Sequence, residues 1–226
     1  PEATTGVKDV YIKATSTITN NNKAVDSLFI GQNGQINVNS FSLSVKGNLT
    51  NDSQVTGDGE VILSGSANQE LRGNGIYENL RLNNTNGAEV IDSTAVTGIL
   101  SADSGTLTTG TNGNITMKCS FVNEPSQGDP KTTAQVGNID TDSGANITGE
   151  VTVERCVPKS NRAFRYISSP VNTSGTINDN LQEGFNNTDP NNNPDDISGF
   201  GTHITGSKDG SNGFDATSSG NPSMFK

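Results

Sequence analysis

Residues 41 to 49 read Phe41-Ser-Leu-Ser-Val-Lys-Gly-Asn-Leu49. Apolar side chains at 41, 43 and 45 alternate with serine, the period of a strand that buries one face. Gly47 interrupts the run, and an apolar residue resumes two positions later. The same texture extends outward. Val10-Tyr-Ile-Lys-Ala, Ser27-Leu-Phe-Ile, Gln35-Ile-Asn-Val-Asn and Glu60-Val-Ile-Leu alternate, as do Leu80-Arg-Leu, Ala88-Glu-Val-Ile, Gly98-Ile-Leu and Asn114-Ile-Thr-Met. Most of these runs have the usual strand length of about 4–6 residues. Asn33-Gly34, Asp58-Gly59, Asn74-Gly75, Asn86-Gly87 and Asn112-Gly113 separate them. Such pairs accept a positive φ at little steric cost, so each is read as a tight turn. No stretch carries the i, i+3, i+4 apolar pattern of a helix over three turns.

Composition narrows the architecture. Only 29% of the 226 residues are hydrophobic, and Gly (26) with Asn, Thr and Ser makes up nearly half the chain. Leu, Ile, Val and Phe together are about a fifth, near the composition of disordered chains. Ordered, periodic apolar runs argue against disorder. A thin β structure whose core is a narrow file of side chains reconciles the two facts.

A β-sandwich built of hairpins would use the same turn signals. Recurrence favours a parallel β-solenoid. The pattern apolar-x-Gly-x-apolar stands at Val45–Leu49, Val96–Leu100 and Ile147–Val151, 51 residues apart each time. That spacing suits two coils of about 25 residues. In such a stack each coil hydrogen-bonds to the next along the axis, at a rise of about 4.8 Å. Asn at equivalent turns is expected to stack into amide ladders.

Asn123-Glu-Pro-Ser-Gln-Gly-Asp-Pro130 reads as a polar excursion from one coil. Texture changes at Pro158, where the boundary is placed: residues 1–157 form the solenoid, and 158–226 part of a β-rich domain, sandwich- or jelly-roll-like. Pro1 is not an initiator Met, and the last residues look like the start of a strand. The expectation is a piece of a longer polypeptide.

The C-terminal third carries a set of short motifs. They are Val151-Thr-Val-Glu-Arg-Cys-Val-Pro158, Arg162-Ala-Phe-Arg-Tyr-Ile-Ser-Ser-Pro-Val171, Leu181-Gln-Glu-Gly184, Gly199-Phe-Gly-Thr-His-Ile-Thr-Gly206, Asn212-Gly-Phe-Asp215 and Asn221-Pro-Ser-Met-Phe225. In order and spacing they resemble a module of large secreted and surface proteins of the Bacteroidota, flavobacteria especially. Gly/Thr/Asn-rich repeats like those upstream precede that module in the same proteins. The family usually has an aromatic where Cys156 stands and Trp where Leu181 stands. The resemblance implies export across the outer membrane by the type IX secretion system, a cell-surface location and an adhesin-like role. It also implies a sorting domain further along than Lys226.

Charge and side-chain inventory exclude several chemistries. The net charge of −10 argues against nucleic acid, which needs a basic surface. No run of about 18 apolar residues offers a membrane-spanning helix. A single His excludes a multi-His metal centre. His203 is read as structural, because no Gly-x-Ser-x-Gly elbow accompanies it. The two cysteines, Cys119 and Cys156, are expected to form a disulfide in an exported protein. Two acidic loops are calcium candidates: Asp189, Asn191, Asn193 and Asp195 place oxygens at alternate positions, and Asp140 with Asp142 begins a second loop. Neither is an EF-hand, since Phe200 and Val151 stand where the terminal Glu would be. Ser27 and Ser93 follow Asp and resemble the Asp-Ser/Thr-apolar O-glycan acceptors of Bacteroidota.

Solenoids also host polysaccharide lyases and hydrolases. Those need paired carboxylates or a base beside calcium, and usually aromatic faces for the sugar. Carboxylates here are spread over turns, Trp is absent, and Tyr is limited to Tyr11, Tyr77 and Tyr166. The expectation is therefore a non-enzymatic surface stalk with no catalytic residues. Its partners would be the secretion machinery and other surface proteins or extracellular glycans. A secreted cargo whose activity lies in another domain is the alternative.

Overall fold

The structure is a computed structural model, and it describes residues 8–110, 113–121, 130–155, 172–182, 187–189 and 203–224. The chain divides into two compact units, Pro1–Tyr166 and Ile167–Lys226. The expected boundary at 157/158 lies outside the described residues.

The first unit is a parallel β-solenoid with three faces. Successive strands are dealt in turn to three parallel sheets, of seven, seven and six strands. Thus Leu28–Ile30 joins the first sheet, Gln35–Asn37 the second and Ser42–Val45 the third, before Leu49–Asn51 returns to the first. Along the first sheet Val10, Leu28, Leu49, Leu71 and Val90 lie in register, so one coil takes 18 to 22 residues. The expected coil of about 25 is too long.

The 51-residue recurrence has another origin. Val45–Leu49 turns the chain from the third sheet to the first, Val96–Leu100 from the second to the third, and Ile147–Val151 from the first to the second. The three copies sit at three different corners. The pattern marks one way to turn a corner: an inward residue ending one strand, a glycine at the bend, and an inward residue opening the next; other corners, such as Tyr77-Glu-Asn-Leu80, turn without glycine.

Inward files make the core. In the second sheet Ile36, Val55, Tyr77, Val96 and Met117 stack in register, all buried. In the third, Val45, Leu63, Leu82 and Ala102 do the same. Each file is one side chain wide, which is why so few apolar residues suffice. Sequence-adjacent side chains point outward and are polar at most positions, as the pleat dictates.

Among the described residues the corner asparagines form no amide ladder. They cap backbone instead. Asn37, Asn51 and Asn84 each accept the N–H two residues on, from Asn39, Ser53 and Asn86. Their amide nitrogens, or those of neighbouring corners, donate to carbonyls of adjacent coils: Asn39 to Ile18, Asn51 to Ile76, Asn79 to Gly59 and Asn84 to Ala67. The corner exposes more unpaired backbone groups than the flat faces, so backbone takes the side chains. Nor do all the Asn-Gly and Asp-Gly pairs use a positive φ. Gly87 does, at φ 78, whereas Gly59 serves by its size: a Cβ there would lie 1.9 Å from the Phe41 carbonyl oxygen of the preceding coil.

Residues 123–129 of the expected excursion lie outside the described residues, but the strands that flank it are described. Strands Cys119–Phe121 and Pro130–Thr133 pair antiparallel between a second-sheet strand, Ile115–Met117, and the third-sheet strand Gln135–Ile139. Because of this insertion the next first-sheet step runs from Leu107 to Ile147.

Tyr77 is the largest fully buried side chain among the described residues, and its hydroxyl meets no hydrogen-bond partner. The Asn51 amide, which also engages the Ser53 N–H and the Ile76 carbonyl, lies near enough to act on the phenol without closing a hydrogen bond to it. An orphaned buried hydroxyl costs about 1–3 kcal/mol. Tyr77→Phe is therefore expected to raise stability, by about 1 kcal/mol, read as a higher urea midpoint. Burial pushes the Tyr77 phenol well above its ordinary range. Folding then keeps a proton that the unfolded chain loses, so stability falls as pH rises past about 10. Tyr77→Phe should remove that part of the alkaline loss.

In the second unit the described residues include one helical turn and a strand pair. The helix Ile177–Leu181 begins with a capping box: the Asp179 N–H donates to Thr176 Oγ1, and the Asp179 carboxylate accepts from the Thr176 N–H. The Thr176 hydroxyl, which donates to the Asp179 carboxylate at 2.7 Å, and then the Thr176 N–H hold that carboxyl below its usual value. Strands Thr205–Ser207 and Asp215–Ala216 pair in parallel. Much of the segment expected to form a sandwich- or jelly-roll-like layer lies outside the described residues.

Candidate functional site

The outward surface of the solenoid carries what function the described residues offer. On the third sheet, Glu60 and Arg81 stand on successive coils, and Arg81 Nε donates to Glu60 Oε2 at 2.8 Å while Nη1 donates to Asp103 Oδ2 at 3.0 Å. Burial alone would lower the Arg81 pKa, but the bond to Asp103 and the charge of Glu60 hold it raised. A hollow of about 370 Å³ runs beside this ladder, with Asn22, Phe41, Asp58, Asn79 and Ile99 among its walls. In the ladder both carboxylates, Glu60 and Asp103, are bound to the one arginine between them. This is the geometry of a cross-coil brace rather than of a free acid–base pair.

On the first sheet, Tyr11 and Phe29 face outward in register on neighbouring coils. Their ring centroids are 5.8 Å apart and the planes are inclined at 45°. Thr50 and Arg72 continue the same outward file. Sequence reading singled out Tyr11 only as one of few tyrosines. Its pairing with Phe29 required the coil length, which the recurrence misjudged.

The residues singled out from sequence are distributed, not assembled. Asp140 caps the 3-10 turn Thr141–Ser143, its carboxylate accepting from the Ser143 N–H at 3.2 Å and the Ser143 hydroxyl at 2.8 Å. Asp142 is exposed in that turn. Asp189 is exposed, and its N–H donates to Asn187 Oδ1. Asn191, Asn193 and Asp195 lie outside the described residues. Among the described residues no three of His, Cys, Asp and Glu converge as a metal-binding group. Ser93 is exposed at a corner, whereas Ser27 is half-buried, its N–H donating to Asp9 Oδ1. Cys119 is disulfide-bonded and half-buried, with Sγ 3.5 Å from Thr133 Oγ1. Cys156 lies outside the described residues.

One polar centre escaped sequence reading. Asp215 is fully buried in the second unit. Its carboxylate accepts from Gln182 Nε2 at 3.0 Å and from the N–H groups of Asn187 and Ile204 at 2.7 Å each. Three buried donors around one carboxylate organise the chain locally. No spacing rule reveals them, because the donors come from residues 182, 187 and 204.

The class the fold defines is the parallel β-solenoid. No family model, curated protein or solved structure matches the chain. No helix among the described residues is long and apolar enough to cross a membrane.

Proposed function

We propose that this chain is a non-enzymatic, exported cell-surface protein, an adhesin-like stalk delivered by the type IX secretion system. One observation carries the mechanical half of the reading: three parallel sheets run through the solenoid with backbone hydrogen bonds along its axis. Such a stack resists bending and needs little apolar filling, so its outward side chains are free to vary with the surface they meet. The resemblance of the C-terminal motifs supports the address. The net charge of −10 supports the role, since self-repulsion limits clumping of neighbouring stalks.

The partners proposed are the secretion machinery, other surface proteins and extracellular glycans. Deleting the gene is expected to lower attachment of cells to a surface, and blocking type IX secretion to remove the protein from the cell exterior. Unchanged attachment, or cleavage of a polysaccharide by the purified chain, would overturn the reading in favour of cargo or enzyme.

The same reading pairs Cys119 with Cys156 and leaves calcium as a ligand of the Asp189 to Asp195 loop. Denatured, unreduced protein is expected to take up no iodoacetamide, and reduced protein two equivalents per chain. Labelling without reductant would rule out the pairing.

A further inference from the structure

We propose that the outward face of the first sheet, at Tyr11 and Phe29, is a binding site for an uncharged glycan. This inference rests on the adhesive reading above and gives it a place and a ligand class. Tyr11 is 65% exposed and Phe29 36%, the two large aromatic side chains left open on the described solenoid. An exposed aromatic pair costs solvation, and the same outward file continues with the polar Thr50 and Arg72 on the next two coils. The tilt of the rings makes a shallow trough instead of a flat plate. Carbon–hydrogen faces of pyranose rings pack on such surfaces while their hydroxyls stay at the rim.

The rim is suited to hydroxyls. Ser27 and Asn48 lie in the file beside the rings, and Thr50 follows Phe29 in the aromatic file; all three border the same hollow of about 230 Å³. Asn48 is held in place by exchanging bonds with Glu70: its Nδ2 donates to Glu70 Oε2, and its Oδ1 accepts the Glu70 N–H. Successive coils set these groups about 4.8 Å apart along the axis. Size and charge select among occupants. Two rings fall far short of the roughly 800 Å² per partner that a stable protein interface needs, so a second copy of this chain is disfavoured. Asp9 and Glu70 flank the site, and the chain as a whole carries a net charge of −10, so a neutral glycan is favoured over a uronate.

The test uses the full chain with xylohexaose, laminarihexaose and oligogalacturonate as probes, read by isothermal titration and by the aromatic proton resonances of Tyr11. At least one neutral hexaose is expected to bind and shift those resonances, and oligogalacturonate to bind more weakly. Tyr11→Ala with Phe29→Ala should weaken binding about tenfold or more, and Tyr11→Phe should retain it, since the ring and not its hydroxyl makes the contact. Both residues are exposed, so the unfolding midpoint should stay put and separate loss of site from loss of fold. Absence of binding by both neutral probes, equal binding by the double alanine variant, or tighter binding of the uronate overturns the proposal. So does a concentration-dependent dimer in sedimentation that the double variant abolishes, which would identify a second copy as the occupant. Failure here with attachment still lost on gene deletion sinks only this site; binding here with attachment unchanged sinks only the adhesive role.

Discussion

Gly105→Ala is expected to destabilise the solenoid by about 3 kcal/mol or more, a large share of a typical domain's stability. Two independent costs meet at this corner between the strands Ile99–Ser104 and Thr106–Thr108. Gly105 has φ +76, where an L side chain is strained by about 1–2 kcal/mol. An added Cβ would also lie 1.8 Å from the Asn84 carbonyl oxygen and 3.0 Å from the Gly87 nitrogen. Both are backbone atoms of the preceding coil, so no side chain can swing aside. Relief requires the coils to part, which strains the bond from the Asn84 N–H to the Ser104 carbonyl and the one from the Asn146 N–H to the Gly105 carbonyl. Urea unfolding followed by far-ultraviolet circular dichroism measures the effect. A loss below about 0.5 kcal/mol would mean that this corner does not have the described geometry.

Asp215→Ala should collapse the second unit and spare the first. The substitution strands three donors, Gln182 Nε2 and the N–H groups of Asn187 and Ile204, around an empty space in the interior. Hydrogen bonds to a charged group contribute about 1.5–3 kcal/mol each, and a buried donor left unmatched costs about 1–3. A net loss of about 4 kcal/mol is expected, enough to unfold a small unit. Asp215→Asn should be milder but still harmful, because an amide nitrogen cannot accept at the Oδ2 position, where two donors point. Backbone amide spectra give the readout: resonances of residues 172–224 collapse to random-coil values while those of the solenoid persist. Loss of both sets together would show that folding of the solenoid depends on the second unit.

Much of the solenoid was legible because its rules are local. A period of two in Phe41-Ser-Leu-Ser-Val45 declares a strand with one wet face, and scarcity of apolar residues declares a core one side chain wide. Other strands were illegible for the converse reason. Thr15-Ser-Thr17 and Gln54-Val-Thr56 bring little hydrophobic pattern of their own. They are held extended by pairing with Gln35–Asn37, which lies between them in the second sheet. That information sits on the neighbouring coil, not in the segment.

The candidate surface features divide the same way. Each of Tyr11, Phe29, Glu60, Arg81 and Asp103 could be seen in the sequence as an outward residue of some strand. None could be matched with its partner until the length of a coil was known, and a glycine pattern that recurs at three different corners imitated a longer period. Sequence alone determined that the chain would be extended, turn-rich and thinly cored, because those properties follow from the alternation and chemistry of adjacent residues. Only the tertiary structure decided the three faces, the 18- to 22-residue coil and hence which side chains stand one above another. Hydrogen bonds in a solenoid join residues a full coil apart, and a one-residue change in coil length moves each side chain to a different neighbour.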